Sequence, residues 1–134
     1  MLRAFRVLYV VSAWLFLVGL LSQVFLIGLD VVSHQAGARE AHMTFGWILH
    51  LSPLVVLLLA ALSRAGRRHW QWALALAVVV FIVPLLPGLS TSAPLVAALH
   101  PVLAVIAVVL ALIVARNSLD AWRMDSAPGP LATV

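Results

Sequence analysis

The sequence predicts an all-α fold: an integral membrane four-helix bundle, up-down-up-down, with both termini cytoplasmic. Composition, run length and the placement of arginine each point there. Of 134 residues, 65% are hydrophobic and 9% charged, whereas a soluble domain carries about 25% charged residues. Four apolar runs, near residues 7–29, 43–63, 70–88 and 94–115, approach the roughly 20 residues that cross a bilayer as a helix. The eight cations are all arginine, and seven of them (Arg3, Arg6, Arg64, Arg67, Arg68, Arg116, Arg123) fall in alternate connections and ends, leaving only Arg39 in the others. By the positive-inside rule, the termini and the 64–69 turn are cytoplasmic, and the 30–41 and 89–93 connections face outward. These features make residues 1–123 one domain. The Pro/Gly-rich tail 124–134 is expected to be disordered.

The same composition excludes several classes. The net charge of +4 lies at span ends, which argues against nucleic acid as a partner. There is no cysteine, so disulfides, thiolate metal sites and iron–sulfur clusters are excluded. The first apolar run, about 23 residues long, exceeds the ~7–15 of a signal peptide's hydrophobic region, so a retained helix is expected. An alanine-rich, lysine-free composition hints at a bacterial cytoplasmic membrane.

In the first span Ser12, Gly19 and Gln23 recur at spacings of seven and four on one face. Small residues there allow close helix approach. The Gln23 amide needs a partner in hydrocarbon, either a ligand, a carbonyl or a histidine. The outer loop carries His34, expected to be solvated, and Arg39, whose two-donor guanidinium can pair with a carboxylate at a site mouth. The second span opens with His42-Met-Thr-Phe-Gly46-Trp-Ile-Leu-His50. On a helical wheel Gly46 lies between the two histidines, which share one broad side. A glycine there leaves a flat recess suited to a planar ligand. Pro53 comes a turn later and is expected to bend the helix. His69, beside Arg67 and Arg68 at headgroup level, is expected at the surface. The third span offers no ionisable group, and Pro84 and Pro87 break its outer end.

In the last span Ala93, Ala97, His100, Ala104, Ala107, Ala111 and Ala115 form one stripe of small residues interrupted by a histidine. Small residues mark the side that packs on other helices. His100 is therefore expected to point inward, with space around it left by Ala97 and Ala104.

An ionisable residue inside a span is a functional-site hypothesis by default. Imidazoles at similar depth on two helices can hold one iron from opposite faces, as bundles do for bis-histidine haem. The sequence thus points to a single b-type haem with His42 and His100 as axial ligands, and His50/His100 as the alternative pair. Gln23, Arg39, Gly46, Ala97 and Ala104 would surround it. The implied function is electron transfer or haem handling, a redox role in which catalysis is open. Its partners would be the lipid bilayer, a quinone or redox protein, and a second copy or a larger membrane complex. Two other readings fit the same residues: a non-catalytic accessory subunit of a respiratory complex, with histidines that only pack, and a small metal or proton carrier.

The pattern Gln23-x-x-Leu26-x-Gly28-Leu29, His42-x-x-x-Gly46 and Leu99-His100-Pro101 resembles an uncharacterised bacterial DUF family of four-helix membrane proteins, over about residues 20–116. Within it His42 and His100 fall on the pattern and His50 does not. More distantly, the layout is similar to one half of haem A synthase, a four-helix bundle with histidines opening its second and fourth helices. That resemblance implies a haem cradle. Glu40 stands two residues before His42 rather than one turn, and the outer-loop cysteine pair is missing, departures that separate the chain from the synthase's oxygenase chemistry.

Overall fold

A computed structural model describes residues 1–123; the tail segment 124–134 lies outside the described residues. The order is α1 (Leu2–Ser33), α2 (Ala38–Leu62), α3 (Arg67–Ile82), a 3-10 segment (Val83–Leu89), α4 (Pro94–Ala97) and α5 (Leu99–Arg123). Four stretches are long and apolar enough to cross a membrane: Leu2–Ser33, Ala38–Leu62, Arg67–Leu89 and Pro94–Arg123. Each is longer than, or extends past, the apolar run that announced it, because the flanking polar residues continue the helix toward the headgroups. Leu15, Val18, Phe25, Leu51, Leu58, Val105 and Val109 are all exposed. A continuous apolar surface of this kind belongs against hydrocarbon rather than water.

Proline sets the breaks. The fourth run is not one helix, contrary to the sequence expectation. Pro101 has no N–H for the Ala97 carbonyl four residues back, and its ring crowds that carbonyl. The chain accordingly forms the single turn Pro94–Ala97 and restarts at Leu99, with Pro101 in the first turn of α5, where no N–H partner is needed. Ala93 stands before α4 in extended backbone, so it is not a member of the helical stripe. Pro84 and Pro87 likewise end α3 at Ile82 and tighten the segment Val83–Leu89 into 3-10 turns. Pro53 is tolerated inside α2, buried, and the helix runs on to Leu62. It leaves the Leu49 carbonyl without its usual donor.

α1 packs on α2 and α5, and α3 packs on α2 and α5. Gly19 of α1 is where the Leu49 side chain of α2 comes closest: a Cβ at that position would lie 2.7 Å from Leu49 Cδ2. The close approach expected of Gly19 is therefore real. The hydrophobic core gathers Tyr9, Phe16, Val56, Ala60, Ala73, Leu76, Ala111 and Val114. Most of these come from the first half of α1, the start and middle of α3, and the second halves of α2 and α5. The core thus lies toward one end of the bundle, which also holds Arg6, Ser63 and His69. At that end the Arg6 Nε–H donates to the Ser63 carbonyl at 3.2 Å. The lower part of the alanine stripe, Ala107, Ala111 and Ala115, is buried as expected; Ala97, His100 and Ala104 are half-buried.

Candidate functional site

The opposite end holds the intramembrane histidines. His42 opens the second turn of α2 and turns toward α1, where its Nδ1 lies 3.2 Å from the Gln23 carbonyl oxygen. His100, second residue of α5, turns toward the end of α3, its Nδ1 2.8 Å from the Val83 carbonyl oxygen. A carbonyl oxygen can only accept, so both imidazoles carry their proton on Nδ1. In the neutral ring that leaves the Nε2 lone pair free. This is the state in which metal-bound histidines are usually held, a backbone carbonyl fixing tautomer and ring orientation from behind. The Val83 carbonyl opens the 3-10 segment Val83–Leu89, at the break that follows α3.

His50 differs. Its ring lies 4.4 Å from the Phe81 ring and 5.8 Å, edge-on, from the Trp47 ring. Its Nδ1 is buried with no hydrogen-bond partner. The structure therefore sets His50 in an aromatic wall, with nothing behind its ring to fix a ligating tautomer.

Gln23 and Gly46 do meet, with a result that differs from the sequence expectation. A Cβ on Gly46 would sit 3.3 Å from Gln23 Nε2. The recess over Gly46, expected to receive a flat ligand, is filled by the Gln23 amide because glycine alone lets that amide approach the helix. Gln23 itself is 9% exposed, and neither its Nε2 nor its Oε1 has a partner. The expectation that this amide finds one within the protein is not met; only the backbone carbonyl of Gln23 is used, by His42.

Arg39 reaches back to α1. Its Nε–H and Nη2 donate to Asp30 Oδ2 at 3.0 and 2.8 Å, with the guanidinium largely in the open and the carboxylate mostly covered. The pair joins α1 to α2 across the 34–37 turn. A pocket of about 500 Å³ beside it is lined by Arg39, Glu40, Met43, Thr44 and Trp47, on a face of α2 turned away from His42. Among the described residues, no three His, Asp or Glu side chains are grouped to hold a metal ion. A haem asks for two. Ala97 and Ala104 flank His100 by three and four residues, both half-buried.

His69 departs most from expectation. It is buried, 9% exposed, rather than at the surface. Its ring stands edge-on to that of Tyr9 at 6.1 Å, and both Tyr9 Oη and His69 Nδ1 lack partners. The helical turn that begins at Arg67 rotates His69 inward while Arg67 and Arg68 face out.

Compared with protein-family models, with curated proteins and with solved structures, the chain matches none, so its functional reading rests on these residues.

Proposed function

We propose that the chain is a b-type haem protein of a bacterial cytoplasmic membrane, an up-down-up-down bundle with cytoplasmic termini. Its work in this reading is electron transfer or haem handling. The observation that carries it is the shared state of His42 and His100: each Nδ1 is committed to a backbone carbonyl, which leaves each Nε2 lone pair to hold a metal. Orientation by a carbonyl also raises the basicity of a ligating imidazole. In this reading His42 on α2 and His100 on α5 would hold the haem iron. A b-type haem bound there would supply a one-electron couple, its potential set by two neutral imidazoles and the low polarity around them.

The protein's own residues do the rest. Gln23 Oε1 and Nε2, buried and without partners, offer one acceptor and two donors to a ring edge or to a quinone-type redox partner. Phe81 and His50 form an aromatic wall, and Ala97 and Ala104 leave room around His100. The contact of Gln23 with His42, and of Arg6 with Ser63, joins the late part of α1 to the early part of α2 and the early part of α1 to the end of α2, which favours antiparallel neighbours. Seven of eight arginines fall at the end that holds Arg6 and Ser63, and the positive-inside rule supports that end as the cytoplasmic one.

The test is a visible spectrum of the detergent-purified protein expressed with haem available. Sharp reduced α and β bands are expected, lost in His42→Ala and in His100→Ala and retained in His50→Phe. A colourless wild-type protein would overturn the reading. Bands lost in His50→Phe but kept in His42→Ala would move the axial ligand to His50.

A further inference from the structure

A pocket of about 540 Å³ lies at the other end of the molecule, between the start of α3 and the last turns of α5. Arg68 and Trp72 line it from α3, one helical turn apart; Arg116, Asn117, Asp120 and Arg123 line it from α5. The α5 members recur at three to four residues, which puts them on one face. Three guanidiniums meet one carboxylate there, a net charge of +2. Asp120 is held by Arg123 at 3.3 Å, while Arg68 and Arg116 have no carboxylate partner among the described residues. Beside them the Asn117 Nδ2 amide is buried and donates to nothing. Of the other arginines at this end, Arg6 donates to the Ser63 carbonyl and Arg3 stacks over the Trp122 ring at 5.7 Å, while Arg64 and Arg67 do not line the pocket.

The pocket is thus a concentration of N–H donors lacking acceptors. The ligand that satisfies it is an anion rich in acceptor oxygens, and planar guanidiniums suit phosphate oxygens in particular. Its place in the fold selects the source. Farther along α5 the exposed Leu112 and Val109 lead from the pocket onto the apolar surface, and the pocket is lined by Trp72, a residue type enriched where membranes meet water. Basic pockets between spans commonly take lipid headgroups. We propose that this pocket binds the phosphodiester headgroup of an anionic phospholipid, with Arg68 and Arg116 on the phosphate oxygens and Asn117 as a third donor.

The test uses the full chain in detergent, titrated with phosphatidylglycerol, phosphatidylcholine or inorganic phosphate, and read by native mass spectrometry and by the unfolding midpoint. Phosphatidylglycerol is expected to be retained and to raise Tm, while phosphatidylcholine and inorganic phosphate do neither. Arg68→Gln/Arg116→Gln is expected to weaken retention about tenfold or more, each cation near a headgroup contributing about 1 kcal/mol. Arg64→Gln, outside the pocket, should leave retention unchanged. Asp120→Asn, which removes the pocket's one anion, should increase it, and this arm stands even where the double variant does not fold. Equal retention of phosphatidylcholine overturns the proposal. So does an Arg64→Gln effect as large as the pocket variants', or an Asp120→Asn variant with unchanged retention. An equal shift with inorganic phosphate overturns the lipid as the source and leaves a free-anion site.

Discussion

Gln23 lies against Gly46 so closely that any side chain at position 46 would meet its amide nitrogen at 3.3 Å. The contact is polar on one side only. The amide is buried and neither of its heavy atoms finds a partner, which costs about 1–3 kcal/mol for a buried polar group. Replacing it with Leu, similar in size and apolar, should raise the stability of the ligand-free protein by about 1 kcal/mol. The same Gln23→Leu change should weaken haem retention, because the amide is one of the few polar groups near His42. Unfolding midpoints and the reduced spectrum, measured on one preparation, separate the two effects; a ligand-free Gln23→Leu protein less stable than wild type would mean the amide is already satisfied.

Gly19 should tolerate a side chain poorly. A Cβ there falls 2.7 Å from Leu49 Cδ2, so Gly19→Ala forces Leu49 off its rotamer or α1 away from α2. Overpacking of this kind costs typically ~1–3 kcal/mol. Gly28→Ala, with nothing within 4 Å of its new Cβ, is the matched control and should change the detergent unfolding midpoint little. Equal effects at the two positions would show that helix propensity, not contact, sets the response.

The histidines should separate by their hydrogen bonds even without ligand. His100→Phe removes the 2.8 Å bond to Val83 and should destabilise by about 1 kcal/mol, the usual net worth of such a bond. His50→Phe removes an imidazole whose Nδ1 is already unpaired and places a second aromatic ring near Phe81. It should be neutral or mildly stabilising. Denaturant midpoints of the two variants, compared in protein from haem-depleted cells, should therefore move in different directions or by clearly different amounts.

Breaking the Asp30–Arg39 pair should matter little. The arginine side chain is 71% exposed and the aspartate 19%, and exposed ion pairs are worth about 0–1 kcal/mol. Arg39→Gln should lower Tm slightly at low salt and not measurably at high salt, where the charges are screened. A large, salt-insensitive loss would instead give Arg39 a structural or ligand-binding role beyond Asp30.

Much of the scaffold is legible in the sequence because its determinants are local. Run length and arginine placement need no tertiary information, and the breaks at Pro84 and Pro87 come from a missing N–H. The same rule applied to Pro101 divides the last helix at Ala97; a continuous alanine stripe hides it. The direction of each histidine is harder. A wheel places His42 and His50 on one side, but a rotation of about forty degrees either way decides whether a ring meets a carbonyl of α1 or the face of Phe81. The inward turn of His69 is invisible from its arginine neighbours, since burial there depends on Tyr9, far away in the chain. The filling of the Gly46 recess also needs a partner helix, because the group that fills it belongs to α1.

The gathering of buried side chains at the arginine end has a mechanical consequence. Four rods held firmly at one end and lightly at the other behave as tongs. Local opening proceeds from the region with the fewest buried apolar contacts, which here is the end bearing His42 and His100. Amide hydrogens in the first turns of α2 and α5 should exchange faster than those around Val56 and Val114, and whatever bridges the two jaws would slow the faster set while leaving the slower set as it was.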